Sequence, residues 1–218
     1  MDEQAGHRAV RIHALTARAA RETAPARQAA AVRAAADAAL ALWPEATHDQ
    51  PGLTAVLRAN TTTLTTHVGD ALWAGNDGGH PLLWRAGRSL LAAGLYNPAI
   101  THWKHTADTA QRMLGPEHTD TLTAQANLAA SYRQAGRTGE AITIEEKVAA
   151  DRARILGPEH PDTLTGQANL AASYWQAGRT GEAITIQEKV TADQARILGP
   201  EHPDTQAAAE ALREWKSQ

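Results

Sequence analysis

Apolar and small residues recur at helical spacing through the second half of the chain. Between residues 180 and 197, one face of a helix would gather Ala183, Ile186, Val190 and Ile197. The segment before it, from Pro161 to about Ala177, has the same character, with a face formed by Leu170, Ala171 and Tyr174. Such a stripe is typical of a helix that packs one side against a core. The pattern therefore predicts two helices, and the small Ala171 lets them approach closely.

Residues with special backbone preferences mark where these helices begin and end. Pro161-Asp162-Thr163 is expected to open the first helix, because Asp or Thr can accept hydrogen bonds from the free N–H groups there. Gly178 is expected to end it, since glycine tolerates the left-handed conformation past a helix end. Thr180 is expected to cap the second helix, and Gly199-Pro200 to end it. Each unit is thus predicted to be a helix pair.

The helix pair recurs along the chain with a period of 42 residues. Residues 114–155 and 156–197 agree at 36 of 42 positions, and a third copy begins at Leu198 and stops after one helix. A weaker copy lies upstream, around Gly94. The two full copies differ at Thr119/Pro161, Ala124/Gly166, Arg133/Trp175, Glu145/Gln187, Ala149/Thr191 and Arg152/Gln194. An array of this kind is typical of a solenoid.

The segment ILGPEHPDTL at 155–164 is repeated nearly unchanged at each junction and contains Glu, His and Asp. These residue types could form a metal site, or the segment could be a repeated corner. Stacked helix pairs place equivalent residues roughly 10 Å apart, whereas the ligands of one ion lie about 2 Å from it. His118, His160 and His202 would therefore not share a metal, and we predict no metal site and no cofactor. The corner interpretation leaves His160 and Glu159 without a role.

Composition favours an all-α fold and argues against several classes of protein. Alanine is abundant, phenylalanine and cysteine are absent, and the formal net charge is −3. A chain without cysteine cannot form disulfides or cysteine-based zinc sites, which agrees with a cytoplasmic protein. The slightly acidic balance argues against nucleic-acid binding. No apolar run is long enough to cross a membrane, and the charged N-terminal segment lacks the apolar core of a signal peptide.

The first third of the chain is predicted to be a helical extension. Residues 7–22 and 26–43 predict two helices rich in alanine and arginine, residues 52–74 predict a third, and residues 75–81 predict a loop. A solvated face is favoured over a nucleic-acid surface, because no aromatic residue lies among the arginines. These arginines are Arg8, Arg11, Arg18, Arg21, Arg27 and Arg33.

The segment NLAASYWQAGRTGEAITIQEKV resembles a tetratricopeptide repeat of the 42-residue type found in kinesin light chains and many bacterial proteins. The positions that match the family pattern are Leu170, Ala171, Tyr174, Gly178 and Ala183, and in the preceding copy Leu128, Ala129, Tyr132, Gly136 and Ala141. Where the second helix of the family usually carries an aromatic, this chain has Glu145 and Gln187. We expect Ile144 and Ile186 to take that place on a slightly rotated helix.

The resemblance implies an α-solenoid of tetratricopeptide helix-turn-helix repeats with a helical N-terminal extension. The extension is expected at residues 1–80 and the array at 81–218, with repeats at about 82–113, 114–155 and 156–197 and a capping helix at 203–216. The chain also resembles the C-terminal region of actinobacterial NB-ARC signalling ATPases, in RIHALTARAARET, ALALWPEA and GHPLLWRAGRSLLAAGLYNPAI. It lacks the GxxxxGK[ST] loop that would hold a nucleotide.

In the tetratricopeptide family the first helices line a concave groove that binds an extended peptide or a segment of another protein. The resemblance places Arg85, Asn127 and Asn169 in one column of that groove. The amides of the two asparagines suit a peptide backbone of any sequence, although an Asn ladder tying neighbouring helices together is the equal alternative. The other expected groove residues are Arg88, Arg133, Gln134, Trp175 and Gln176. Arg133 and Trp175 occupy the same place in the two repeats, and Arg and Trp are enriched in binding hot spots. Sequence drift at a solvent-exposed position is the alternative explanation for this exchange.

The sequence thus predicts a protein- or peptide-binding scaffold, with no nucleic-acid or membrane partner, acting as the sensor part of a larger signalling system. A self-assembling structural module is the first alternative, because the final half repeat leaves a helix unpaired. The polar ending ALREWKSQ argues against it, and the state is either a monomer or a weak self-associate. An enzyme with a histidine-based site is the least favoured alternative, because no nucleophile–base motif is present. We therefore predict no catalytic residues.

Overall fold

The computed structural model describes residues 25–44, 50–73 and 78–217. Within these ranges the chain forms α-helices and one short 3-10 helix, Gly69–Leu72, and no strand. The predicted helix at 7–22 and the start of the predicted loop at 75–81 lie outside the described residues. The α-helices are α1 (Pro25–Ala41), α2 (Pro51–Val68), α3 (Pro81–Ala92), α4 (Tyr96–Leu114), α5 (Thr119–Gln134), α6 (Thr138–Leu156), α7 (Pro161–Gln176), α8 (Thr180–Ile197) and α9 (Pro203–Lys216).

Successive helices pack against one another in chain order, so the array is a stack of helical hairpins. α5 pairs with α6 and α7 with α8, and each second helix also packs against the next first helix. Gly178 has a φ of 77° directly after α7, as predicted for a left-handed helix end. The all-α solenoid prediction is confirmed. None of the described helices combines the length and the apolar character needed to span a bilayer.

A histidine caps each first helix of the array. The Nδ1 atoms of His118, His160 and His202 accept a hydrogen bond from the backbone N–H two residues further on, at 3.1 to 3.2 Å. The prediction that Asp162 or Thr163 accepts this bond at α7 is therefore wrong. An imidazole with an unprotonated Nδ1 presents an acceptor to the free N–H groups, as a capping Asn does.

The second helices begin without a side-chain cap. The prediction that Thr180 caps α8 is wrong, because the N-cap residue is Arg179 and no side chain accepts a hydrogen bond there. The Arg179 guanidinium instead donates from Nε to Glu182 Oε2 at 2.7 Å and lies 3.8 Å from the centre of the Tyr174 ring. The first turn of α8 is thus held by an ion pair and a cation–π contact.

The glutamate of the repeated corner forms an ion pair with the end of the following second helix. Glu117 Oε1 lies 2.7 Å from Arg154 Nη2, and Glu159 Oε1 lies 2.8 Å from Arg196 Nη2. Both pairs are exposed, so each contributes little to stability on its own. The repeated histidine and glutamate of ILGPEHPDTL therefore both have structural roles at the corner, as a helix cap and as an ion-pair partner.

A tryptophan cluster joins α3 and α4 to the helices before them. Trp103 is fully buried, and the Trp84 ring lies between Trp73 and Trp103, with centroid distances of 6.4 and 5.7 Å. A Cβ atom at Gly87 would lie 2.2 Å from the Trp103 ring. Glycine at this crossing therefore makes the space that the large Trp103 side chain occupies.

The second helices of the next two pairs turn polar residues inward at the position that Trp103 fills in the first. Glu145 is 4% exposed and Gln187 3%, whereas Ile144 and Ile186 are only half-buried. The expected rotation of the helix, with isoleucine replacing the missing aromatic, is therefore wrong. The side chain at this position points inward in all three pairs, and it changes from an aromatic residue to a polar one.

Helix α9 and the end of α8 differ from their counterparts in the preceding repeat in which side chains they expose. Ile197, expected in the apolar stripe of α8, is 37% exposed, because it lies in the last turn, where the helix meets the corner. In α9, Gln206, Arg213 and Lys216 stand where α7 carries the buried Leu164, Ala171 and Tyr174. A further second helix packed here could not bury these polar side chains without cost.

Replacing the capping histidine of α7 tests the role assigned to the corner. His160→Ala should lower the free energy of unfolding by about 1 kcal/mol, because the N–H of Asp162 loses its acceptor. His160→Asn supplies an acceptor at the same place and should recover most of that loss. Urea unfolding followed by circular dichroism measures both, and equal losses in the two variants would contradict the capping role.

Adding one methyl group at Gly87 tests the tryptophan cluster. Gly87→Ala should destabilise the protein by roughly 1–3 kcal/mol, although Ala is the better helix former, because its Cβ overlaps the Trp103 ring. Gly52 is a matched control, since a Cβ there meets nothing within 4 Å. Gly52→Ala should therefore leave the melting temperature unchanged or raise it. A stable Gly87→Ala variant would show that the ring can move aside.

Candidate functional site

The first helices of the pairs, α3, α5, α7 and α9, carry the residues predicted to bind a partner. We call the surface made by these helices the inner face. A cavity of about 280 Å³ opens between α7 and α9, with α8 behind it. It is lined by Thr165, Ala168, Asn169, Ala172, Gln187, Gln194, Asp204, Ala207, Ala208, Ala211 and Trp215. Among the residues that the sequence predicts to bind a partner, Asn169 is the one that lines this cavity.

The three members of the predicted asparagine column differ in their surroundings. Asn127 is half-buried and donates from Nδ2 to the Thr123 carbonyl of its own helix at 2.8 Å. Asn169 is also half-buried and lines the cavity. Arg85 donates to the carbonyl of Pro44, at the end of α1. Arg85 thus ties the array to the preceding helices, and the two asparagines remain as amides of the inner face.

Arg133 and Trp175 occupy equivalent places near the end of α5 and α7. The Arg133 side chain is 26% exposed, with its Nε 4.0 Å from Glu145 Oε1. The Trp175 ring stacks on Trp215 of α9, with centroids 5.1 Å apart and an interplanar angle of 6°. Each side chain is therefore half inside the stack and half at its surface. The remaining predicted residues, Arg88, Gln134 and Gln176, are exposed.

A buried carboxyl group lies beneath this surface. Both oxygens of Glu145 lack a hydrogen-bond partner, as do Arg133 Nε and Ser173 Oγ nearby. Burial raises the pKa of Glu145, and the proximity of Ser173 and Arg133 offsets part of that shift. In the next pair the equivalent Gln187 donates from Nε2 to the Ala208 carbonyl at 3.0 Å. The amide thus makes one hydrogen bond at this position, through its N–H, whereas the carboxyl group of Glu145 makes none.

Half of the differences between the two nearly identical repeats lie at positions that are buried in both copies. Three of the six differing positions are buried in both copies, and a fourth, Ala149, is buried in one. Neutral drift collects at exposed positions, because changes in a core usually destabilise. The buried differences are Ala124/Gly166, Glu145/Gln187 and Arg152/Gln194. The sequence comparison finds these exchanges, and the structure shows that they lie at buried positions.

A second cavity, of about 550 Å³, lies between α2 and α4 and contains two histidines. His102 donates a hydrogen bond from Nε2 to the Leu83 carbonyl at 2.8 Å. Burial lowers the pKa of His102, and the bond to that carbonyl opposes the shift. The three threonines of the wall, Thr62, Thr65 and Thr66, each bond to a carbonyl of their own helix. Among the described residues, no three His, Asp or Glu side chains are grouped to hold a metal.

Comparison with known proteins identifies the repeats. A family model described as tetratricopeptide repeat matches residues 121–162 and again residues 163–204. Residues 121–204 are two tetratricopeptide repeats. No curated protein matches the chain as a relative. Repeats of this type are typical of protein–protein interaction scaffolds, which agrees with the class of protein predicted from the sequence.

Solved tetratricopeptide structures share the fold over most of the chain. One is a Podosopora anserina protein described as a kinesin light chain with nearly identical TPR-like repeats, with 25% identity, a TM-score of 0.65, and 87% of each chain covered. A single-substitution variant of it gives 24% identity, a TM-score of 0.66, and 87% and 86% coverage of this chain and that one. BtubC (BKLC) from P. vanneervenii gives 16% identity, a TM-score of 0.58, and 89% and 84% coverage. In fold, the repeats are similar to those of these kinesin-light-chain-like structures.

Converting the buried carboxyl group into an amide should stabilise the tetratricopeptide stack. A raised carboxyl pKa means that Glu145 costs stability as pH rises above the unfolded-state value, about 4.3. Glu145→Gln should therefore gain little near pH 4 and about 1 kcal/mol at pH 7. Unfolding in urea across this pH range measures the gain. Glu210→Gln, at an exposed position of α9, is the control, and a pH-independent effect of Glu145→Gln would contradict the prediction.

Proposed function

We propose that this chain is a protein-interaction scaffold that binds an extended peptide segment of a partner along the inner face. The observation that carries the proposal is the pair Asn127 and Asn169, two half-buried amides at equivalent places on α5 and α7. Each amide can both donate to and accept from a peptide unit. The cleft beside Asn169 supplies the depth that a bound segment needs.

The ends of the inner face differ in charge, and this bears on the kind of segment it would take. Arg88 is exposed on α3, and Arg133 is partly exposed on α5, whereas Glu210 and Glu214 are exposed on α9. A segment of mixed polarity, acidic where it meets α3 and α5 and basic where it meets α9, would complement this field. Complementarity of this kind sets orientation and specificity more than affinity.

The rival functions have less support. The repeated histidines are used as helix caps, which gives them a structural role without catalysis. Self-assembly by adding a helix to α9 would have to bury Arg213 and Lys216, two charged side chains. The scaffold proposal needs no such cost.

We also propose that residues 1–80 form a helical extension to an array at residues 81–218, and that the scaffold acts as the sensor part of an NB-ARC-type signalling system. The sequence resemblance in the extension and at its junction with the array is the support for this context. Affinity purification from the source cells followed by mass spectrometry tests it. A P-loop ATPase among the proteins recovered would favour the signalling role, and its absence would count against it.

A display experiment with a random peptide library tests binding at the inner face. Peptides selected on the unmodified chain should bind Asn127→Ala, Asn169→Ala at least about tenfold more weakly, because two hydrogen bonds of about 1 kcal/mol each are lost. Fluorescence anisotropy with a labelled selected peptide measures the change.

The matched control is Thr143→Ala, Thr185→Ala, which changes two equivalent exposed positions of the second helices, each bonded within its own helix. This variant should bind as the unmodified chain does. Circular dichroism verifies that both variants are folded. Equal affinity of the asparagine variant and the unmodified chain would move the binding surface away from the inner face.

A further inference from the structure

The cavity between α7 and α9 has a filled counterpart one repeat earlier. In the layer made by α5, α6 and α7, the Arg152 side chain of α6 is buried. Its Nη1 donates to the Asp162 carbonyl of α7 at 3.1 Å, and its Nη2 approaches Thr123 Oγ1 of α5 at 3.5 Å. The guanidinium group thus bridges two neighbouring first helices from behind.

In the next layer the same place lacks its guanidinium. Gln194 stands 42 residues after Arg152, and the equivalents of the two acceptors are Thr165 and Asp204. All three residues line the cavity of about 280 Å³. This volume is far above the roughly 10–15 Å³ that a single water molecule needs. The shorter glutamine has therefore left room for a larger polar group where the preceding layer holds a cationic one.

Two buried amides of this cavity have unused acceptors. Gln187 is 3% exposed and Gln194 6%, and the Oε1 atom of each has no hydrogen-bond partner. The orientation of Gln187 is fixed, because its Nε2 donates to the Ala208 carbonyl. A buried carbonyl oxygen without a partner costs free energy. Each of these two oxygens has almost no accessible surface, so an occupant with N–H donors reaches it only when the glutamine side chain turns toward the cavity.

The charges around the cavity favour a cation. Asp204 is the ionisable residue of the wall, which includes no lysine or arginine. In the preceding layer, burial lowers the pKa of Arg152, and the carboxylate of Asp162 opposes that shift. Asp204 stands in the same relation to the open cavity. An arginine remains charged under such burial because the ordinary pKa of its guanidinium lies far above neutral pH.

We propose that this cavity binds the guanidinium group of an arginine side chain in the partner segment, taking the place that Arg152 takes one repeat earlier. The planar group has donors in several directions, which suits acceptors on α7, α8 and α9 together. A lysine ammonium is compact and cannot span the same set. The peptide origin of the arginine rests on the proposed function, whereas the fit of the guanidinium does not.

Titration with a single capped amino acid tests the fit without any partner peptide. N-acetylarginine amide is added to ¹⁵N-labelled chain, and the side-chain amide signals of Gln187 and Gln194 are followed. The proposal expects saturable shifts at these two signals, with the lysine and citrulline analogues binding roughly tenfold more weakly. Absent shifts, or equal binding of the three analogues, would overturn it.

Variants at Gln194 test the internal template directly. Gln194→Arg supplies the guanidinium from within and should abolish the saturable shift at Gln187. Gln194→Met keeps a similar volume, removes one acceptor and should weaken binding several-fold. If Gln194→Arg does not fold, Gln194→Met alone tests the assignment of the guanidinium to this cavity. Unchanged binding of N-acetylarginine amide by Gln194→Met would overturn that assignment.

Two further outcomes separate this inference from the proposed function. If free arginine binds more tightly than N-acetylarginine amide, the cavity is a site for the amino acid itself, and the assignment to a partner segment is wrong. If the capped arginine binds as expected while library selection yields no peptide, the proposed function fails and the guanidinium site stands. Selected peptides that lack arginine would overturn the assignment to the partner segment.

Discussion

The close approach of paired helices at fully buried alanines is the constraint on which the rest of the structure depends. Ala129 and Ala171 on the first helices, and Ala141 and Ala183 on the second, are each 0% exposed. Larger side chains at these points would push the helices apart and open the stack. With the distance fixed, each layer can differ only in what fills the space beside the crossing. That space receives a tryptophan in the first pair, a glutamate in the second and a glutamine in the third.

Much of the fold could be predicted because its signals are local and periodic. The 42-residue period, the glycine turns and the apolar stripes each depend on residues close together in sequence. The sequence pattern therefore predicts the helical hairpins and their order. The predicted cap of the first helices was wrong because histidine is not among the usual capping residues. Its ability to cap depends on which ring nitrogen carries the proton. The inward direction of Glu145 was missed because hydrophobic patterning favours the adjacent Ile144.

The candidate site was less accessible to sequence reasoning, because it depends on contacts between repeats. Arg85 fits the groove column by spacing, yet its partner is a carbonyl of Pro44, 41 residues away in a segment outside the repeat. The cavity beside Asn169 arises from the exchange of Arg152 for Gln194, and its walls come from three helices. The exchange of one residue for another in the sequence does not by itself predict a cavity. The cavity is found only when equivalent layers of the structure are compared.

The near identity of the two full repeats has a consequence for how the chain folds. Hairpins that agree at 36 of 42 positions can pack in each other's place, and misassembly between similar units is a characteristic failure of repeat proteins. The Arg152 side chain lies against Gly166, where a Cβ would be 3.5 Å from its Nη1, and the corresponding position in α9 is Ala208. This spacing is an ordinary van der Waals contact, so the place beside Arg152 would accept alanine as well as glycine. The exchange therefore does little to prevent the two hairpins from packing in each other's place.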